Sequence, residues 1–427
     1  MNRENGTPGI MRIGEEISYS LDTRATGVNN NVLVVGSSGS GKTTGVVIPN
    51  LLQMEGSYVI SDPKGNLHRK YASVLKNHGY SVKKLSFIHP QDSEHYNFFR
   101  YIRSRQDIMK IAHMLVGGDN HHSLDPFWDD MGEILFASIL AYIYENHPKK
   151  EWTMENAAKL LEACDCAVRQ DVSIMDKIME QAEMQSSRSM AVRLYKKFRC
   201  GAEKTRKSVL ITTFGHIAFM DSPDICRMME TDTIDIPSIG KRKTALFVEI
   251  SDTDRSLDRL ANLFFTQAMQ ELCRYADEKC EDNRLPVPVR FFLDDFATNC
   301  KIEDFPRMIA SIRSREISTV LMIQAESQLT QLYGHDGRTI IGNCDTYVYL
   351  GGNDLDTARA VSERSDRPLN GILNMPVGDM WIFRRGEAPL NRRLIRDFSP
   401  RKSKKEQVCP GRERREKEWG FTPERDY

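Results

Sequence analysis

Apolar residues along this chain fall in short consecutive runs more often than in strict alternation. Val32-Leu33-Val34-Val35 comes first, apolar at every position and mostly β-branched, and it stops at Gly36. Mostly apolar runs recur at Tyr58-Val59-Ile60, Thr244 to Ile250, Val289 to Leu293, Thr319 to Ile323 and Thr346 to Leu350. A strand without polar positions has both faces covered, as in a parallel sheet packed by helices on each side. Helical stretches separate several of these runs, Leu257 to Ala276 among them. Alternation of this kind predicts an α/β fold with crossover connections.

The rhythm breaks over residues 104–205. Helical patterns at Asp107 to Val116, Asp129 to Tyr144 and Ala157 to Cys166 are followed by a basic, Met-rich stretch reaching Arg206, with no convincing strand. The pattern predicts an all-helical insertion at 104–205, splitting an α/β domain into 29–103 and 206–400. Residues 1–28 are polar and interrupted by Gly6, Pro8 and Gly27, and read as a lead-in arm. Residues 401–427 carry Lys402, Lys404, Lys405, Arg412, Arg414, Arg415 and Lys417 among fewer acids, the composition of a flexible charged tail.

Composition narrows this picture only slightly. Lys plus Arg equals Asp plus Glu, 59 against 59, so any nucleic-acid partner requires positive charge concentrated locally. No apolar run approaches the roughly 18 residues that cross a bilayer. The longest candidate, Ile134 to Tyr144, carries Ser138 in its middle and reads as a buried helix. With no signal-peptide core near Met1, the chain as given reads as soluble, without a transmembrane segment. Nine scattered cysteines, of which Cys164 and Cys166 are the closest pair, fit reduced thiols in a cytosolic compartment rather than a disulfide frame.

Chemistry enters directly after the first strand. Gly36-Ser37-Ser38-Gly39-Ser40-Gly41-Lys42-Thr43 fits G-x-x-x-x-G-K-S/T without a gap, and Thr44 follows. Small residues let such a loop wrap a phosphate with successive backbone N–H groups pointing inward, and the helix beginning near Gly41 adds its positive end. Lys42 reaches the β- and γ-phosphates, and the Thr43 hydroxyl is a magnesium ligand. The expectation is ATP with Mg²⁺, bound by the segment from Gly36 to Thr44. Pro49 predicts a kink or early end to the helix after the loop.

A phosphate loop needs a carboxylate from a neighbouring strand to complete the magnesium shell. Val289 to Leu293 ends in Asp294-Asp295, which assigns Asp294 to the metal side and Asp295 to the attacking water. The strand Thr319 to Ile323 ends at Gln324, an amide placed to sense the γ-phosphate or steer water; a solvated strand-end glutamine is the plainer alternative.

With these motifs in order, the chain resembles the type IV secretion coupling proteins, the TraG/TraD-type ATPases of conjugative DNA transfer. The likeness runs from about Asn29 to about Asp397. It rests on the block Asn31 to Leu52 with its ending Val47-Ile48-Pro49-Asn50-Leu51-Leu52, on Asp62-Pro63-Lys64-Gly65, on Asp125-Pro126-Phe127-Trp128 and on Phe292-Leu293-Asp294-Asp295-Phe296. Ile312-Arg313-Ser314-Arg315-Glu316-Ile317 and Gln324 through Tyr333-Gly334 extend it. The resemblance implies a RecA-like P-loop NTPase, a three-layer sandwich with an all-helical domain, assembled as a homo-hexameric ring around DNA with ATP at subunit interfaces. It implies relaxase or relaxosome proteins and secretion-channel components as partners, at the cytoplasmic face of the bacterial plasma membrane, with an anchor that is missing here or supplied separately. By the same likeness Arg313 or Arg315 is the arginine finger for a neighbour's γ-phosphate.

Two departures qualify the likeness. Asp295 stands where the family usually has glutamate, one methylene shorter, which predicts either slowed hydrolysis or a backbone that compensates; the family's membrane segments are not in this chain. The leading expectation is therefore an ATP-driven DNA translocation motor, and the alternative an ATP-binding docking module with little hydrolysis. Two weaker signals remain. Arg193-Leu194-Tyr195-Lys196-Lys197-Phe198-Arg199 with Lys204, Arg206 and Lys207 mixes bases and aromatics as nucleic-acid surfaces do, although a solvated helix face is the commoner meaning. His121-His122 with Asp119 and Asp125 lacks the spacing of a metal site and reads as a polar loop.

Overall fold

A computed structural model describes residues 9–117, 126–169, 171–296 and 300–395. The strands in chain order are β1 (Ile10–Arg12), β2 (Ser18–Ser20), β3 (Val32–Val35), β4 (Ser57–Ser61), β5 (Ser81–Ser86), β6 (Ala167–Arg169), β7 (Val172–Ser173), β8 (Thr244–Glu249), β9 (Val289–Leu293), β10 (Ile317–Ile323), β11 (Thr346–Tyr349), β12 (Asp379–Arg384) and β13 (Leu390–Arg393). Nine of them form one sheet in the order β13-β12-β11-β3-β10-β9-β4-β8-β5. From β11 to β5 all neighbours are parallel, and only β12 and β13 run antiparallel.

The predicted apolar runs become the central strands, and the period of two explains why. Leu33 and Val35 pack into the core on one face of the sheet, Val32 and Val34 into the core on the other. Every residue of β3, β4, β8, β9 and β10 is buried. Three strands of the sheet escape sequence reading, and all three lie at its margins. β5 is the edge strand and carries Lys83 and Lys84 mid-strand, charges that discourage pairing with another sheet. β12 and β13 form the opposite margin, where exposure mixes polar residues into the pattern.

The helices used below are α1 (Thr23–Thr26), α2 (Ile48–Leu51), α3 (Asn66–Asn77), α4 (Arg105–Val116), α5 (Phe127–Asn146), α6 (Met154–Glu162), α7 (Ile174–Gln185), α8 (Met190–Arg199), α9 (Glu203–His216), α10 (Pro223–Met228), α11 (Ile236–Ile239) and α12 (Asp258–Lys279). From α4 through α10 the chain forms a helical body packed on the α12 side of the sheet. Its central helix is α5, whose residues Leu135 to Ala141 are all buried, as expected of a helix apolar on most of its faces. The helical body differs from expectation in two respects. A boundary at 205 would fall inside α9, because Val209, Leu210 and Thr213 bury against the same core and carry the helix on to His216. The body also holds a two-stranded antiparallel hairpin, β6 with β7, whose strands are too short and exposed to leave an apolar run.

The expected lead-in arm is a packed element over its described part. β1 and β2 pair in an antiparallel hairpin, and Met11, Ile13 and Tyr19 are buried in the core beneath the sheet. Asn50 joins this hairpin to the helix after the phosphate loop: its Nδ2 donates to Arg12 O (2.7 Å), and its Oδ1 accepts from Arg12 N (2.9 Å). One apolar residue every few positions was too sparse a pattern to reveal this. Ile13 is fully buried, so Ile13→Ala is expected to lower unfolding free energy by roughly 2–4 kcal/mol, read from the denaturant midpoint. A change under about 0.5 kcal/mol, as at surface sites, would restore the arm reading.

Candidate functional site

β3 ends at Val35 in the middle of the sheet, and the glycine-rich loop begins where its hydrogen-bond ladder runs out. The amide of Gly36 donates to Ile323 O of β10 (3.1 Å), and that of Ser37 to Gly351 O (3.1 Å). These two residues anchor the base of the loop, and the cleft is lined from Ser38 onward. A side chain at Gly36 would meet Ser40 Oγ at 2.6 Å and Leu350 Cβ at 2.8 Å, which leaves room only for glycine. Gly39 (φ +75°) and Gly41 (φ +92°) take left-handed backbone that turns the loop back on itself.

The helix that follows starts as a π-turn, Thr43–Val47, and continues as α2. Pro49 accounts for this geometry, since it has no N–H for the carbonyl four residues back and its ring crowds that position. The helix ends at Leu51, as the proline predicts. Leu394, beyond β13, lies flat on the same turn: a Cβ at Gly45 would come within 2.3 Å of it.

The cleft bounded by this loop measures about 940 Å³ and also takes in Asp294, Asp295 and Gln324. Strand order brings them together. β10 lies between β3 and β9, so Gln324 stands between the phosphate loop and the two acids, all at the carboxyl end of the parallel strands. Thr43 Oγ1 donates to Asp294 Oδ2 at 2.5 Å, and the other Asp294 oxygen accepts from Asp295 N at 3.1 Å. A hydroxyl and a carboxylate touching at the mouth of a phosphate loop form a hard-oxygen pair suited to magnesium. Asp294 is mostly buried, and desolvation raises its carboxyl above the ordinary aspartate range against the opposing Thr43 hydrogen bond. Burial also lowers the Lys42 ammonium, with Asp295 and Asp294 pulling the other way. Lys42 Nζ donates to Gly36 O (2.7 Å) and Ser37 O (3.2 Å). Asp295 itself has φ +48°, a left-handed conformation that aspartate tolerates better than most residues.

The two arginines expected to act on a neighbour's γ-phosphate lie outside this chain's own cleft. Arg313 and Arg315 precede β10, at the end of the strand remote from Gln324, roughly 20 Å from the cleft at about 3.3 Å per residue. Arg315 forks onto Asp277 with two 2.8 Å bonds, and Arg313 Nη2 donates to Thr23 O at 2.6 Å. The basic stretch on α8 and α9 is largely neutralised within the chain: Lys196 pairs with Glu183, Arg199 with Asp176 (2.8 Å), Arg206 with Asp171 and Lys207 with Glu203 (3.0 Å). That arrangement fits a solvated, ion-paired face. Asp119, His121, His122 and Asp125, and the tail at 401–427, lie outside the described residues.

The cleft contains residues to which sequence reading gave no role in the site. Asp62, Lys64, Asp252, and Arg69 and Lys70 of α3 line its far wall. Their signal was Asp62-Pro63-Lys64-Gly65, a turn that leaves an apolar strand at the same sheet end as the phosphate loop.

A model of the family described as type IV secretory system conjugative DNA transfer matches residues 7–365. The chain belongs to that family. Among the family's relatives, VirD4 of Agrobacterium fabrum is 24% identical over 341 residues, covering 78% of this chain and 48% of that protein. The conjugal transfer protein TraG of Escherichia coli is 23% identical over 351 residues, 78% and 54% of the two chains. The chain thus spans about half the length of the curated relatives it matches. Among solved structures, the bacterial conjugative coupling protein TrwBΔN70 superposes with a TM-score of 0.67 at 17% identity, over 94% of this chain and 92% of that one. TrwB in complex with ADP and Mg²⁺ superposes with a TM-score of 0.62, over 87% of each chain. This likeness establishes the fold as the RecA-like P-loop sandwich. Among the described residues, no helix is long and apolar enough to cross a membrane.

Proposed function

We propose that this chain is the motor portion of a conjugative coupling ATPase, which binds ATP with Mg²⁺ and uses hydrolysis to move DNA, with its bound relaxase or relaxosome proteins, into a type IV secretion channel. The observation that carries this reading is the Thr43–Asp294 contact at 2.5 Å beside Lys42, with Asp295 and Gln324 in the same cleft. Family membership and the nucleotide complexes of TrwB support it.

In this reading the loop amides from Ser38 to Thr44 and the Lys42 ammonium bind the β- and γ-phosphates. Thr43 and Asp294 hold magnesium, which supplies charge neutralisation on the phosphate oxygens. Asp295 accepts a hydrogen bond from the attacking water and aligns it, and Gln324 orients that water from the neighbouring strand. Asp295 reaches less far than glutamate, which makes turnover slower than a glutamate site would allow. The ring is a homo-hexamer at the cytoplasmic face of the bacterial plasma membrane.

A neutral chain that moves DNA does so through local contacts, and its DNA response therefore depends on salt. Phosphate release is expected to rise several-fold with added DNA at low ionic strength and to lose that gain at about 200 mM salt. The assay is run with single- and double-stranded DNA on protein whose mass is measured by light scattering. Absence of turnover with either DNA at low salt would end the motor reading.

A further inference from the structure

The wall of the cleft opposite Lys42 is built around one turn. β4 lies next to β9 on the side away from the phosphate loop, so the turn Asp62–Gly65 emerges one strand spacing, about 5 Å, beyond Asp294. The turn is held from several sides. Asp62, 2% exposed, accepts from the amide of His68 at 2.9 Å, and its carbonyl accepts from the Gly65 amide at 3.0 Å. Gly65 is left-handed at φ +62°, and a Cβ there would sit 2.6 Å from the Glu249 carboxylate. Arg69 Nη2 donates to the carbonyl of Lys64 at 3.0 Å. The backbone of Lys64 is thereby fixed, while its side chain, 68% exposed, extends along the cleft. Its counter-ion is Asp252, 3.7 Å away and itself 41% exposed.

An exposed pair at that separation holds weakly. A terminal phosphate, with more charge and three acceptor oxygens, outcompetes one aspartate for the ammonium. The cleft is also roomy for a nucleotide held only by the phosphate loop: about 940 Å³ lies near the top of the range for small-molecule pockets.

We propose that Lys64 is a specificity-determining residue of the nucleotide site, contacting the terminal phosphate of a nucleoside triphosphate from the wall opposite Lys42, with Asp252 as its alternate partner. The inference rests on the nucleotide-hydrolysis reading above and adds a way for the same cleft to distinguish triphosphate from diphosphate. When the terminal phosphate is present Lys64 leaves Asp252; when it is absent the ion pair re-forms. The loop that carries Asp252, following β8, is thus released or held according to the state of the nucleotide.

The test is calorimetric titration of ADP and of a non-hydrolysable ATP analogue, each with Mg²⁺, and separately of a DNA oligonucleotide, into the whole chain and its variants. Lys64→Ala is expected to weaken the triphosphate analogue about tenfold or more and to leave ADP within about twofold. Lys64→Arg restores most of the loss, and Asp252→Asn tightens the analogue by removing the competitor. Equal weakening of both nucleotides by Lys64→Ala would mean a structural role and overturn the proposal, as would no change in either. Loss of oligonucleotide binding with unchanged nucleotide binding would reassign the wall to a nucleic-acid backbone and overturn it too. If wild-type protein binds both nucleotides and Lys42→Ala abolishes this while Lys64→Ala is indifferent, only this inference fails. If wild-type protein binds neither, the nucleotide reading fails with it.

Discussion

Lys42→Ala protein should lose ATP hydrolysis by a factor on the order of 10³ while remaining folded. The lysine is 7% exposed, and its ammonium lies at the base of the loop, where no other described side chain takes its position. An amine held out of water interacts with phosphate far more strongly than one at the surface, so its removal costs both binding and transition-state stabilisation. Stability should respond differently. Desolvation already lowers the Lys42 pKa in the folded chain, so the charged form is disfavoured there and truncation relieves that penalty. The melting temperature is expected to stay within about 2–4 °C of the wild type, measured by circular dichroism beside the phosphate-release assay. Residual hydrolysis within about tenfold of wild type would remove Lys42 from the mechanism.

The second large effect belongs to Asp295. Asp295→Asn keeps the shape and removes the acceptor charge, and it should lower kcat by roughly 10²–10³ with little change in KM. Asp294→Asn serves as the contrast, because it disturbs the magnesium pair with Thr43 and should weaken Mg²⁺-dependent nucleotide binding as well. Asp295→Glu tests the length argument. If reach limits the aspartate, the longer acid raises kcat. It should also cost up to about 1 kcal/mol in unfolding free energy, because the position is left-handed at φ +48° and glutamate adopts that conformation less readily. Unchanged turnover in both the Asn and Glu variants would mean that another group positions the water.

Much of the site was legible because its chemistry is local. A phosphate loop is made by eight consecutive residues, and their small side chains and lysine have to be adjacent in sequence to be adjacent in space. The same holds for Asp294, whose position at the end of an apolar strand is visible as Phe291-Phe292-Leu293 running into acid. Pro49 likewise acts on the turn it belongs to, and the helix ends where it should. Lys64 belongs to the other kind of residue. Nothing in Asp62-Pro63-Lys64-Gly65 says that the turn faces Lys42, because that depends on β4 pairing with β9 rather than with some other strand.

Several elements are defined only by what they pack against. Residues 9–28 look polar because a short hairpin buries only alternate residues, and Met11, Ile13 and Tyr19 gain significance only from the sheet they land on. The expected end of the insertion at 205 falls inside α9, because the helix's buried positions, Val209, Leu210 and Thr213, are few and the rest is polar. On α8 and α9 the solvated face, the commoner meaning of such a basic run, fits the structure, because Glu183, Asp171, Asp176 and Glu203 pair with it. Arg313 and Arg315 are finger candidates through the family likeness; they sit at the remote end of β10, bonded to Thr23 and Asp277, and a residue that serves a neighbour's nucleotide is placed by the assembly rather than by this chain's own cleft.

By itself, then, the sequence determined that strands covered on both faces alternate with helices, and that one of them delivers a phosphate-binding loop and another a pair of acids. Tertiary structure alone decided that β10 separates those two strands, which places Gln324 between loop and acids, and that the turn Asp62–Gly65 with α3 lines the far side of the cleft. The reason is physical: periodicity records whether a face is covered, whereas the identity of what covers it depends on crossovers joining residues far apart in the chain.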